Sequence, residues 1–431
     1  GNYNTVVGNE AGTALTTGDN NVAVGFEALK TEDTGQNNVA VGYRAMNVAN
    51  YNGSGNNVAV GADAGLSMTT GIFNTFVGAL SGDAHTEGYN NVAIGTNALG
   101  SDVSSRATVA IGSSSLASQN NTNTDAYNTA VGFASGSSVT TGTQNTLIGG
   151  LAGDALTVGN QNVAIGTHAL TADTQGTGSV AIGRSTLEAQ NFSSATTSYN
   201  TAVGYHAGLS VTDGQSNTIV GSHAGDALTT GGNNVAVGTF ALSAEDGHGG
   251  NIAIGRDALL VQNAGANAYN VGIGYQAGKA VSTATECTFI GYNAGDAVTT
   301  NPGSTAVGSQ AFSEQGGDYN TAFGRKALHS CTSGGDRNVA VGEVALLNVG
   351  EGAGNTGVGQ AAGYAITTGD NNTCIGKDSG RTGSPGGNIT SGSNEIALGD
   401  ENVSSFSCQV SLTATSDERD KTDFKDLDLG L

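Results

Sequence analysis

The chain has 431 residues, of which 70 are glycine, 2 are proline and 12% are charged. Glycine falls short of the one residue in three of collagen, and charge is about half the usual share, which argues against highly charged disorder. The formal net charge of −22 at pH 7 disfavours phosphate backbones and anionic headgroups, and no apolar run is long enough to cross a bilayer, so neither nucleic acid nor membrane insertion is expected.

In chain order, the first clear element is the phrase Asn21-Val22-Ala23-Val24-Gly25. It returns at Asn38 to Gly42, Asn57 to Gly61, Asn91 to Gly95 and Asn162 to Gly166, and as late as Asn338 to Gly342 and Asn372 to Gly376. The closing glycines recur about every 17 residues, the signature of a solenoid of stacked equivalent coils. The residues one and three before each glycine are Val, Ile or Thr, whose β-branching suits a pleated strand. The predicted fold is therefore all-β, a parallel β-solenoid or β-roll. Coils advance about 4.8 Å each, so about 23 of them make a rod on the order of 110 Å long. A single coil buries too little apolar surface to offset ordering its residues, at about 1–2 kcal/mol each, so stability must come from neighbours.

The middle residue of the strand is usually Ala but becomes Phe76, Leu147, Ile219 and Phe289 in particular copies, and it is almost never polar. A strand that is apolar on both faces is buried on both, and a lone solenoid covers only one. The second cover is expected from neighbouring copies of the chain. Ala23, Phe76, Leu147, Ala164, Ile219 and Phe289 are then predicted at the trimer interface or core, where Ala164→Asp would block assembly by placing a charge in a dry contact. Where the middle residue is large, Thr precedes it (Thr75, Thr146, Thr218, Thr288), which reads as a compensating change of volume.

After each glycine comes a second apolar pair, such as Ala28-Leu29, Ala98-Leu99 and Ala169-Leu170, expected as a second short strand or return segment. A polar turn such as Thr229-Thr230-Gly231 follows. The Asn before each strand is expected to bond the bend and to stack as a ladder. Cys374 takes the alanine slot of its phrase and reads as a small buried hydrophobe, and Cys287, Cys331 and Cys408 form no close pair with it. Pro302 and Pro385 fall outside the phrases, where no ladder hydrogen bond is lost.

A longer period runs through the coils. Gly61, Gly132, Gly204, Gly274 and Gly342 open groups of four coils, about 70 residues each,. The second coil of a group carries Gly-Asp (Asp83, Asp154, Asp226, Asp296), for which turn capping is the expected role rather than calcium binding. The fourth coil carries an insertion ending in Tyr127, Tyr199 or Tyr269. These insertions are expected to project from one face and to contact a host-surface receptor, a glycan or a protein. His168, His206 and His223 share an exposed slot and are not expected to form a metal site or an acid–base pair. A glycan-degrading enzyme would need paired carboxylates in a groove. The acids here are sparse and periodic, so no catalytic residue, metal or cofactor is expected in the shaft.

Two resemblances sharpen this. The run Asn90-Asn91-Val92-Ala93-Ile94-Gly95-Thr96-Asn97-Ala98 resembles the head repeats of trimeric autotransporter adhesins, across nearly the whole chain though with a longer period. That resemblance implies a left-handed parallel β-roll of three chains about one axis. The run Ser416-Asp417-Glu418-Arg419-Asp420-Lys421 resembles the junction that opens the endosialidase-type intramolecular chaperone of phage tail fibres and tailspikes. By that resemblance Ser416 would be the nucleophile of a single self-cleavage and Lys421 its base. The expected organisation is a repeat shaft over 1–399, a cap or linker over 400–415 and the start of a truncated chaperone region over 416–431. The chain opens in mid-phrase at Gly1, which reads as a segment of a longer protein. The expected function is a structural and adhesive virion fibre, a phage tail or side fibre shaft that works with other fibre or baseplate proteins. A bacterial trimeric surface adhesin, or another extracellular structural fibre, is the alternative.

Overall fold

Each phrase is a three-residue strand, and each strand lies beside the same phrase of the next coil. The computed structural model describes residues 1–384, 386–405 and 407. Over them, one 23-stranded parallel sheet runs from Thr5–Val7 to Ile396–Leu398. The solenoid is all-β, and the described residues contain no helix. Register follows the phrase: Ala164 sits between Leu147 and Ala181. The Val163 N–H donates to the Ser179 carbonyl at 2.8 Å and the Gly166 N–H to the Ile148 carbonyl at 2.7 Å, so the backbone groups of one coil are satisfied by its two neighbours,. Most coils step by 17 residues. Longer steps fall in the fourth coil of two groups, where Val109 pairs with Thr129 and Val180 with Thr201, and at the end of the sheet, where Thr373 pairs with Ile396. The insertion before Tyr199 adds a two-residue parallel pairing of its own, Gly176–Thr177 with Thr196–Thr197.

The strand's two faces are assigned differently from the sequence expectation. Ala23, Phe76, Leu147, Ala164, Ile219 and Phe289 are fully buried within one chain. They point into the coil and fill its core, so they do not face another chain. Their flanking neighbours point outward, and this outer row is half-buried: Val163 and Ile165 flank the buried Ala164 in this way. An aspartate at Ala164 would therefore break the coil itself rather than a contact between chains.

The volume exchange is also redirected. Thr75 points away from Phe76's surroundings, so it does not compensate for that ring. The compensating residue is Gly82, where a β-carbon would lie 2.8 Å from the Phe76 ring; Gly153 stands in the same relation to Leu147, at 2.8 Å. Large strand residues fit because the turn facing them lacks a side chain.

Of the two readings of the second apolar pair, strand or return segment, the structure has the return, made as a turn. His168 and Leu170 have φ of 58° and 56°, and the same two slots are left-handed in coil after coil. Alternating left-handed residues cannot make a pleated strand. Leucine there is strained by roughly 1–2 kcal/mol, but Leu170 is fully buried and its N–H donates to the Thr186 carbonyl at 3.0 Å. Burial of the side chain is worth about 1.5–3 kcal/mol and offsets the strain.

Candidate functional site

Three arrangements of side chains bear on function: the outward strand face, the tyrosine loops, and the polar columns inside the coil.

The outward strand face is uncharged along the entire sheet, built of apolar side chains and threonine. The position just before the closing glycine is Val, Ile, Leu or Phe in every strand of it, and no strand places a charge on this side. Ile148 is 37% exposed, Val341 39% and Ile375 46%. Beside this row, aromatic side chains of adjacent coils stack: Phe26 on Tyr43 at 5.4 Å between centroids and Tyr275 on Tyr292 at 5.6 Å. His206 and His223, on successive coils, meet edge to face at 5.1 Å with Tyr205 and Phe240 alongside. The three expected surface histidines are thus only half-exposed, and two of them touch. Burial and the neighbouring His223 hold the His206 imidazole below its usual value.

Tyr127, Tyr199 and Tyr269 project as expected, at 57%, 69% and 59% exposure. Each occupies a left-handed position at the end of its insertion, with φ of 49°, 51° and 54°. The Tyr127 hydroxyl donates to Asp125 at 3.2 Å. Tyr269 borders a groove of about 600 Å³ lined also by Asp213, Gln215, Ser216, Asn233 and Asn267. An aromatic face next to amides, hydroxyls and one carboxylate is a surface with the chemistry to hold a sugar. The three tyrosines lie about four coils apart, roughly 19 Å, so they act as separate points rather than one pocket.

Inside the coil, the asparagine ladder is present. Asn217 accepts the Asn234 N–H at 3.0 Å through Oδ1 and donates to the Gly231 carbonyl at 2.9 Å through Nδ2. The same pair of bonds recurs at Asn145 and Asn338. Each amide thus clamps the next coil twice. At Thr108, where the ladder changes residue, a glutamine repairs it: Gln119 Nε2 donates to the threonine hydroxyl at 3.0 Å, and Asn128 donates to Gln119 Oε1 at 2.8 Å.

Sequence reasoning missed a second polar column, seven residues after the closing glycine. In successive groups it carries Asp102 then Gln119, and Asp173 then Gln190, all fully buried. Glu32 is the first member, its carboxylate accepting N–H groups of Gly35 at 2.6 Å and Tyr51 at 3.1 Å. Burial pushes the Glu32 and Asp173 carboxyls above the usual carboxylate range. The signal was legible, because these residues recur at the group period and not at the coil period.

His85 and Asp102 form a buried pair at 2.8 Å. His85 Nδ1 is hydrogen-bonded to Asp102 Oδ2, and Asn91 Nδ2 lies 3.3 Å from His85 Nε2 while donating to the Ser105 carbonyl at 2.9 Å. Both side chains are fully buried, and the geometry is that of a core bridge between two coils rather than of a proton relay to solvent.

Two of the Gly-Asp carboxylates bind across coils: Asp226 accepts the Ser243 hydroxyl at 2.5 Å and Asp154 accepts that of Thr171. Asp296 accepts Asn293 Nδ2 at 2.7 Å within its own coil. Glu245, Asp246 and His248 bring ligand-type atoms within 4.8 Å of one another. Glu245 Oε1 is already engaged there by the His248 N–H at 3.1 Å, as in a turn cap.

Cys287, Cys331 and Cys374 are buried free thiols. Burial pushes each up to about 11, which keeps them protonated and unreactive at neutral pH,. Ser416, Lys421, Cys408 and Pro385 lie outside the described residues, and with them the whole predicted chaperone junction. No protein-family model matches the chain, and no curated protein is recognisably similar to it in sequence.

Proposed function

We propose that this chain is the shaft of a homotrimeric adhesive fibre, of the kind a phage carries on its tail for attachment to the host surface. The observation that carries the reading is the outward strand face. Its row of Val, Ile and Thr, with Phe323 and Leu398, is continuous over all 23 strands and free of charge. About 110 Å of sheet, roughly 10 Å wide, offers on the order of 1,000 Å² per chain, above the ~800 Å² per partner of a stable interface. A monomer that left such a strip in water would be unusual. The strip runs the full length of the stack, which suits association along a common axis. The net charge of −22 triples on trimerisation and keeps neighbouring rods apart.

Attachment belongs to the tyrosine insertions, with the groove beside Tyr269 as the first candidate for a host glycan. The reading is non-enzymatic: incubation with host polysaccharide should release no oligosaccharide, and fragments would overturn that part of it.

Sedimentation equilibrium tests the assembly. The expected mass is three times the 42.4 kDa chain. Ile165→Asp with Val341→Asp should yield single chains of unchanged circular dichroism, because both residues point out of the coil. A wild-type chain that sediments as a monomer at micromolar concentration would sink the fibre reading.

A further inference from the structure

The buried acid–glutamine pair closes directly in one group of coils and not in the next. At Asp173, Gln190 Nε2 donates to Asp173 Oδ2 at 2.7 Å and to Ser179 Oγ at 2.7 Å, while Gln190 Oε1 accepts Asn200 Nδ2 at 2.9 Å. Glu245, Asn251 and Gln262 hold the same three places in the following group. All three are fully buried.

Their amide orientations are set by the oxygens. Asn251 Oδ1 accepts the Asn270 N–H at 3.1 Å, and Gln262 Oε1 accepts Asn270 Nδ2 at 2.6 Å. Glu245 Oε1 accepts the His248 N–H at 3.1 Å. What remains is Gln262 Nε2, Asn251 Nδ2 and Glu245 Oε2, and none of these three atoms has a protein partner. The reason is chemical. Asn251 offers an N–H donor where Ser179 offers an accepting oxygen, and Glu245 carries its carboxylate one methylene further than Asp173.

We propose that Glu245, Asn251 and Gln262 bind one internal water, which accepts from both amides and donates to the Glu245 carboxylate. Three bonds are the usual complement of a buried water, and two acceptor sites with a donor are what this set requires. A cation would face two N–H groups, and an anion would face the carboxylate. The water restores the bridge between coils that Gln190 makes directly, so the stack passes through this group without a break. The site is independent of trimer formation and of receptor binding.

A crystal structure of the whole chain, at a resolution that shows ordered solvent, tests this alongside the double variant Glu245→Asp/Asn251→Ser, which reproduces the Asp173 group. The wild type should show one peak within about 2.6–3.2 Å of all three atoms. The double variant should lose that peak, with Gln262 bonded directly to the new side chains. Direct contact of Gln262 with Glu245 in the wild type, a peak with the anomalous signal of a metal or halide, or a peak that persists in the double variant would each overturn the proposal. Should the double variant fail to fold, the wild-type density decides alone.

Discussion

Gly149 and Gly150 are neighbours in sequence with opposite roles. Gly149 closes a strand at φ +135°, and a β-carbon on it would lie 2.6 Å from the Gly166 carbonyl of the next coil. Only a residue without a side chain allows two coils to approach this closely at that backbone angle. A β-carbon on Gly150 would meet nothing within 4 Å. Gly149→Ala should therefore cost about 2–4 kcal/mol, and Gly150→Ala should stay within about 0.5 kcal/mol of wild type. Urea denaturation of the two variants checks this, and equal effects would contradict it. The residue scale also shows why the turn slots are compatible with a strand in sequence. Leucine at Leu170 and glycine at Gly153 hold the same slot of successive coils, both with positive φ. The glycines signal a left-handed turn, and the leucines conceal it, because a buried apolar side chain there looks like strand core.

An element here is one coil, and it is held by side chains that reach into the next. Removing Asn217 leaves the Asn234 N–H and the Gly231 carbonyl without their partner in a site closed to water. Asn217→Ala should cost about 2–4 kcal/mol from the two unpaired groups. Hydrogen exchange at the Asn234 amide should accelerate more than at amides several coils away, and a uniform acceleration would count against a local clamp. Phe289 tests the core of the same unit. It is fully buried, and Phe289→Ala should cost about 3–5 kcal/mol through the cavity it leaves,. Its thermal melt should shift down without loss of the proposed trimer, since the ring faces the inside of its own chain.

The whole molecule carries an excess of acid, and five of its buried or half-buried carboxyls are perturbed in the same direction. Burial raises Glu32, Asp83, Asp173, Glu245 and Asp296 above their usual values. For such groups the folded chain holds protons that the unfolded chain has already released. Stability therefore falls as pH rises from the ordinary carboxylate value near 4 through the higher native values. Repulsion within a chain of net charge −22 has the same sign. The exposed Glu10 and Glu343 are lowered by Lys30 and Arg325 and act the other way, but solvent screens them,. Melting temperature should thus be higher at about pH 5 than at about pH 8, and Asp83→Asn should flatten the slope. A melting temperature that rises steadily over that range would contradict the assignment.

The coil period, the parallel sheet, the asparagine ladder and the four-coil groups were all legible in the sequence, because each is a spacing and stacking preserves spacing. The insertions before Tyr127, Tyr199 and Tyr269 were legible too, since extra residues in a stack of fixed height have only the outside to occupy. The direction of the strand was not. Val22, Ala23 and Val24 alternate between two faces, but all three are apolar, so the pattern says that the faces differ without saying which is inside. The closure of the coil decided that. It turned Ala23 inward against the opposing turn and left Val22 and Val24 outside. The buried column of Glu32, Asp173 and Gln190 was settled by the same closure, which brings residues from separate coils into contact and gives each buried charge its partners.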